Sequence, residues 1–439
     1  MTATNLLKTL FGITLILYLV LWTQTSAADD LSTTNRQALG SFWTAAEQRP
    51  GPVTVLSFGD SMADSLRSIA WALLNLWIPR LGVAGFSFNN YANNCNANTT
   101  NGTQALGPNQ FWFSANYQVP PGGGLWWSKE TSPGGLLTDH LGVYYVAQPD
   151  GGTFTLSVST NSGPWGSVLA VDGYSPVAEG RFTNIDLDLD WHRLRVDGQT
   201  GTNYILGARL LNYQTNGLNI TFIEYPGIGL SDVTNVPLAI RSPVFAALAP
   251  DLLIWHMKED GSDATRQRLV DCEQWWSNAI PCGSVLYIGT PYISVDTNST
   301  WTIDQNTLVR SVAVTYGRAY VDCMTPCHSY WWMVTNGYML DETHENPQGS
   351  QYLANIAWND LGFFALRTPR VLAINSLQNG INLNYQTTTG ILYSIESSPD
   401  FVVWQPLSTN SGDGLPVSTN LVPGAATTAY RLRLEPAPN

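Results

Sequence analysis

The chain has 439 residues, enough for two or three domains with real cores. Its 33 Asp plus Glu outweigh 20 Lys plus Arg, giving a formal net charge of −13 with no basic patch to offset it, so nucleic acid and anionic membranes are excluded as partners. Low charge content, 38 Gly and abundant Asn, Thr and Ser suit a secreted, β-rich protein, and 17 Trp with 19 Tyr either fill large β cores or stack on sugars.

The first segment is set apart from any core. Lys8, the apolar run Leu10 to Trp22 and the small residues Ser26, Ala27 and Ala28 before Asp29-Asp30 have the layout of a secretory signal peptide over 1–28. An uncleaved N-terminal anchor is the alternative, although the run is short for a membrane span. No second long apolar segment follows. The mature protein is therefore expected to lack an integral membrane span and to be secreted or periplasmic, or held at the cell surface.

Next comes "VTVLSFGDSMADSLRSIAWALLNLW" (53–77), a buried-type strand that ends at Gly59-Asp60-Ser61. Leu66, Ile69, Ala70, Leu73, Leu74 and Trp77 then recur at helical spacing on one face. From about Asn93 to Leu218 the text turns to short alternating strands such as "GTFTLSVST" and "HRLRVDG" between turn signals, which predicts an all-β insertion, a sandwich in the simplest case. Strand–helix alternation resumes with "LNITFIEYPGIGLSD" (218–232), "DLLIWHM" (251–257), a helix near 263–279, "SVLYIGTPY" (284–292) and helices near 304–319 and 348–365. Such alternation implies a mainly parallel sheet covered on both sides. After Pro369 the pattern is β again, with Asn-Gly and Thr-Gly turn signals, in about seventy residues.

Five cysteines are present. In an oxidising compartment the close pairs Cys272/Cys282 and Cys323/Cys327 are disulfide candidates, with Cys95 left over. "CMTPCH" has no second ligand cluster at a usable spacing, so no metal is expected.

A serine where a buried strand meets a helix sits at the carboxyl edge of an open α/β sheet, where ligands bind. Its backbone N–H then lies at a helix N-terminus, suited to a developing negative charge. The hydroxyl needs a base, and the base an orienting partner. Of five histidines, His192 lies inside the β insertion, His140 has only the adjacent Asp139 beside it, and His328 follows Cys327 in what reads as a disulfide turn. Two candidates remain: His256, ending a core strand, and His344 in "LDETHENPQG", three residues after Asp341.

Taken together, Gly59-Asp60-Ser61 near the start, Asp341-x-x-His344 near the end, and Asn346, Pro347 and Gly349 after it resemble the SGNH (GDSL-type) hydrolases, serine esterases on a flavodoxin-like α/β sheet. The resemblance covers roughly 50–110 and 218–366. It implies an α/β, flavodoxin-like three-layer sandwich with a mainly parallel sheet, in two parts (50–110 and 218–366). An inserted β-sandwich-like domain (111–217) would separate them, and a small C-terminal β module (371–439) would follow. It also implies Ser61 as nucleophile, His344 as general base and then acid, and Asp341 as the residue orienting His344, with no cofactor. For the oxyanion hole it implies the backbone N–H of Ser61 and of Gly229 in "EYPGIGLSD", with Leu230 in an equally good register. The third block, normally Gly-x-Asn-Asp, falls on Lys258-Glu259-Asp260, which puts Asp260 where an asparagine donor is expected. An ionised carboxylate cannot donate, so either Asp260 is protonated, Lys258 or His256 supplies the donor, or the site is weakened. Some secreted members of the family carry a β insertion between their first two blocks and act on acylated glycans. The segment "YSIESSPDFVVWQPL…AYRLRL" looks like a small β module found at the ends of secreted proteins of Verrucomicrobia-like bacteria.

The expected function is a secreted serine esterase that removes O-acetyl or similar acyl groups from a polysaccharide, its partner being an acylated glycan. Trp126-Trp127, Trp275-Trp276 and Trp331-Trp332 are candidate sugar platforms. The alternatives are a carbohydrate-binding or surface protein with a partly degenerate hydrolase domain, and a lipase.

Overall fold

The structure is a computed structural model that describes residues 35, 37–63, 68–87, 96–128, 136–280, 283–293, 300–361, 371–377, 380–387, 391–398, 405–411, 415–421 and 429–436. The signal-like segment, Leu66, Cys95 and Cys282 lie outside the described residues. Among the described residues, no helix is long and apolar enough to cross a membrane. The chain divides into two compact units, Gln37–Leu361 and a second made of Met1–Arg36 with Gly362–Asn439.

In the first unit, α1 (Gly40–Gln48), β1 (Pro52–Gly59), α2 (Ile69–Leu81) and β2 (Val83–Ser87) come first. Strands β3 (Asn96–Thr100), β4 (Gln104–Leu106), β5 (Asn116–Val119), β6 (Gly124–Ser128), β7 (Thr138–Ala147), β8 (Thr153–Thr160), β9 (Gly166–Asp172), β10 (Glu179–Asp190), β11 (His192–Gly198) and β12 (Asn203–Leu211) follow. Then come β13 (Gly217–Glu224), α3 (Leu230–Asn235), α4 (Leu238–Leu248), β14 (Leu252–His256), α5 (Asp263–Ala279), β15 (Ser284–Ile288), α6 (Trp301–Thr315), β16 (Ala319–Val321), α7 (Tyr330–Thr335) and α8 (Pro347–Asp360).

Strands β13, β1, β14, β15 and β16 pair side by side and all run parallel. Strand β2 continues this parallel set beyond β13, so the six parallel strands, numbered along the chain, stand in the order 2-3-1-4-5-6, a flavodoxin-like doubly wound arrangement whose direction of winding reverses beside β1. Every residue of β1, β13, β14 and β15 is buried, because helices cover both faces. On one face Leu56, Phe58, Ile223, Leu253, Trp255 and Tyr287 pack with residues of α4, α5 and α6 in one core. On the other, α1 lies against β1 and β15, and α2 packs on α8 and β13. Helix α2 begins at Ile69, where Ser68 caps it by accepting from the Trp71 N–H at 3.0 Å. It ends at Gly82, whose φ of 76° few other residues adopt.

The stretch read as a separate insertion is divided between two sheets. Strands β10, β7 and β12 extend the central sheet through β2, with β12 antiparallel to both β2 and β7, and β5 and β4 attach beside β12. The remaining strands form a five-stranded antiparallel sheet in the order β3-β6-β11-β8-β9. Local alternation gives each strand's faces but not its sheet, since pairing partners lie far apart in the chain.

In the second unit, β17 (Val371–Leu377), β18 (Gly380–Gln386), β19 (Ile391–Ser398), β20 (Gln405–Ser411), β21 (Pro416–Leu421) and β22 (Ala429–Pro436) form two antiparallel three-stranded sheets, β17-β18-β21 and β20-β19-β22. Buried Tyr385 and Tyr393 meet with ring centroids 5.5 Å apart, one ring from each sheet.

Candidate active site

The site lies beyond the carboxyl ends of β13, β1 and β14. Gly59, the last residue of β1, is flanked by Glu224 and His256. A Cβ at Gly59 would stand 1.8 Å from the His256 carbonyl oxygen, so no larger residue fits. Asp60 is buried, and its carboxylate accepts from the Met62 N–H at 2.9 Å and from the Lys258 N–H at 3.1 Å, tying the turn after β1 to the chain leaving β14. Burial pushes its carboxyl up to about 6, against the pull of those two N–H groups. The Ala63 N–H closes the turn onto the Asp60 carbonyl at 3.0 Å. Among the described residues, helix α2 begins at Ile69 and Ser61 itself sits in this tight turn, not in the first turn of α2, a correction to the sequence reading.

The partner of Ser61 comes from the other end of the unit. His344 Nε2 lies 2.8 Å from Ser61 Oγ, and His344 Nδ1 lies 2.8 and 3.0 Å from the two carboxylate oxygens of Asp341. Asp341 Oδ1 also accepts from the backbone N–H groups of Thr343 and His344, each at 2.7 Å. Burial works against its charge, but these donors and the imidazole hold the carboxyl below its ordinary value. The chain after His344 braces this loop. Asn346 Oδ1 accepts from the N–H groups of Gln348 and Gly349 at 3.0 Å, capping α8, whose first residue is Pro347. A Cβ at Gly349 would come within 2.3 Å of the Tyr338 carbonyl oxygen, which accounts for the glycine.

Of the other histidines, His256 is fully buried, and desolvation pushes its imidazole down to about 3, so it is neither exposed nor basic enough to serve. His140 Nδ1 meets Asp186, a carboxylate from the neighbouring strand that sequence proximity did not reveal. His192 meets Thr160 and the Asp188 carbonyl inside the five-stranded region, and the His328 ring rests edge-on against Trp332.

The third-block expectations change. Asp260 is exposed and accepts from the Ser262 N–H at 3.1 Å and from the hydroxyls of Ser262 and Thr265, at the start of α5. These donors hold its carboxyl below the ordinary value, so it is ionised and is not an oxyanion donor. Lys258 does not fill the gap either, because its ammonium lies 5.5 Å from the Trp301 ring centroid. The Gly229 N–H donates to Asp232 Oδ2 at 2.9 Å, and the Leu230 N–H donates to Glu259. Sequence reasoning passed over Glu259, and its side chain is the third-block residue that reaches the neighbouring loop.

A second residue went unnoticed. Glu345, next to His344, is buried and meets no partner from another residue, and burial pushes its carboxyl up to about 8. The disulfide expectation is corrected as well. Cys323 and Cys327 are free thiols, with Cys327 Sγ turned to the Cys323 carbonyl at 3.0 Å by the 3-10 turn Thr325–Cys327. Cys272 is a free thiol in the core, and its proposed partner Cys282 lies outside the described residues. Among the described residues no cluster of His, Cys, Asp or Glu has the form of a metal site. Of the tryptophan pairs, Trp127, Trp275 and Trp276 are buried; Trp126 is half-buried, and Trp331, 63% exposed, is the most open.

No protein-family model matches this chain, and no curated protein matches its sequence. Among solved structures, a peptidoglycan O-acetylesterase superposes with a TM-score of 0.57 at 15% identity, over 74% of this chain and 95% of that one. This chain shares that fold, an α/β sheet with additional β-rich regions. A family two carbohydrate esterase from Cellvibrio japonicus aligns at 10% identity and a TM-score of 0.26, over 62% of this chain and 99% of that one. A member of the lipolytic G-D-S-L family from Veillonella parvula aligns at 15% identity and a TM-score of 0.26, over 32% and 79%. Both scores are too low to bear on the fold.

Proposed function

We propose that this chain is a serine esterase that removes O-acetyl or similar short acyl groups from a glycan. The observation that carries the reading is the unbroken line from Ser61 Oγ through His344 to Asp341, at the point where the winding of the sheet reverses. Ser61 Oγ attacks the ester carbonyl while His344 Nε2 takes its proton, and Asp341 fixes the ring with Nδ1–H towards itself and stabilises the imidazolium. The carbonyl electron pair moves onto oxygen, facing the Ser61 backbone N–H. Collapse expels the sugar alkoxide, which recovers the proton from His344, and water repeats the sequence to release the acid.

The glycan assignment has separate support. Solved-structure similarity includes a peptidoglycan O-acetylesterase, and the outer face of the five-stranded sheet carries half-buried aromatic and basic groups. On β11, Arg193, Arg195 and Asp197 point away from the buried Leu194 and Val196. The Trp165 ring lies 5.0 Å from the Arg193 guanidinium and 4.6 Å from that of Arg195. Export through the signal-like segment 1–28 is part of the same reading, as are the β insertion and the C-terminal β module as accessory units.

Acyl chain length separates this reading from a lipase. With esters from acetyl to dodecanoyl on one leaving group, kcat/KM is expected to fall at least about tenfold by octanoyl, as a site that selects short acyl groups requires. Acetate release from an O-acetylated polysaccharide is expected in parallel. A rise with chain length and no acetate release points to the lipase reading.

A further inference from the structure

The three parallel strands that frame the site stand in the order β13-β1-β14, and the loops beyond them join in an unexpected way. Glu259 follows β14 and Leu230 follows β13, yet Glu259 Oε1 accepts the Leu230 N–H. The strand between them is β1, whose end carries Asp60 and Ser61, so the Glu259 side chain links the two loops that flank that strand end. The Gly229 N–H is already given to Asp232. Either register of the second-block donor, Gly229 or Leu230, is thus spent on a carboxylate, and Asp260 and Lys258 are turned elsewhere. Among the described residues, none of the donors named by the resemblance beyond the Ser61 N–H is left for a developing oxyanion, and the Glu259 carboxyl that links these two loops is the group placed to supply one.

We propose that Glu259 acts as a neutral carboxylic acid that supplies this donor: its carbonyl oxygen holds the Leu230 N–H while its O–H hydrogen-bonds the oxyanion formed when Ser61 attacks. This rests on the esterase reading above. Glu259 keeps its proton throughout; the proton that moves is the Ser61 hydroxyl proton, carried by His344 to the leaving oxygen. A carboxylic acid kept neutral by its surroundings so that it can donate to an oxyanion is a known chemical solution.

The surroundings favour the neutral form. Burial is the largest effect and pushes the Glu259 carboxyl up to about 7, with Asp260 and Asp60 acting in the same direction. The Leu230 N–H and Arg268 of α5 act against it. Other charged groups around this rim include Lys258 on the same loop, Asp232 on α3, Glu224 at the end of β13, Glu345, and Asp341 with His344 beyond Ser61.

The test is kcat/KM for a small acetyl ester from pH 5 to 9 in the wild-type protein, Glu259→Gln and Glu259→Ala, with Ser61→Ala as control. In the wild type, activity is expected to fall about tenfold per pH unit above a midpoint near 7, as Glu259 ionises and its charge opposes the oxyanion. Glu259→Gln retains an N–H donor that does not titrate, so that fall is expected to disappear. Glu259→Ala is expected to lower kcat by about 10²–10³ at pH 6 with KM little changed. An alanine variant as fast as or faster than wild type overturns the inference, since the carboxyl then only blocks the Leu230 N–H. An unchanged alkaline fall in Glu259→Gln overturns it too. A wild type that Ser61→Ala leaves unaffected, or that does not turn over, refutes the esterase reading with it, whereas Ser61-dependent turnover indifferent to Glu259 refutes this inference alone.

Discussion

Ser61→Ala is expected to lower kcat for a small activated acetyl ester by about 10⁵-fold or more while leaving the melting temperature nearly unchanged. The large loss follows from the covalent role: without Oγ there is no atom 2.8 Å from His344 Nε2 to accept the acyl group. What remains is direct attack by water at a surface that still binds and polarises the ester. The fold should tolerate the change because Ser61 is half-buried and the turn is held instead by Asp60, through the N–H groups of Met62 and Lys258. Because the groups act as a unit, Ser61→Ala combined with His344→Ala is expected to be little slower than either alone. Steady-state kinetics beside thermal melting checks both halves; a variant retaining a tenth of wild-type turnover removes Ser61 from the chemistry.

Glu345→Gln is expected to stabilise the protein at alkaline pH by up to about 5 kcal/mol and to change little at pH 5. Glu345 is sealed beneath the His344 loop without a partner from another residue, and burial raises its carboxyl from 4.5 to about 8. The folded protein therefore holds a proton that the unfolded chain releases above its ordinary value. Between about 4.5 and 8 the unfolded state binds fewer protons, so the wild type loses stability as pH rises through that window, and the loss levels off above it. Asp60, raised to about 6, and Glu259, raised to about 7, act in the same direction over narrower ranges. Glutamine keeps the shape and cannot ionise. Denaturant unfolding of both proteins at pH 5 and pH 9 measures the difference; equal stabilities at pH 9 show that water or rearrangement meets the charge.

The parts of this site that sequence could reveal are those encoded in consecutive residues. Gly59 is required by the approach of the His256 carbonyl, and Asn346-Pro347 is a helix start; both leave their mark locally. The strand–helix alternation that predicts a parallel sheet is of the same kind, since burial on both faces makes β1 and β14 mostly apolar runs, broken only by Thr54, Ser57 and the terminal His256. What escaped depends on strand order. That β13 and β14 flank β1 is written in no single segment, so the reach of Glu259 to Leu230 could not be foreseen, and attention fell on Asp260 at the expected register. The same holds for β7, β10 and β12, whose alternation is legible but whose attachment to the central sheet through β2 is not. The cysteine spacing misled for a simpler reason: Cys323 and Cys327 are close in sequence, but the turn between them aims the Cys327 thiol at the Cys323 carbonyl.

The claim on which the rest depends is that Ser61 becomes covalently acylated. Treating the protein with a fluorophosphonate and measuring its intact mass tests this directly, with peptide mapping to locate the adduct. One equivalent of label is expected on the peptide containing Ser61, none in Ser61→Ala, and labelling slowed by orders of magnitude in His344→Ala, where no base takes the proton. Equal labelling of wild type and Ser61→Ala, or none in either, contradicts the account.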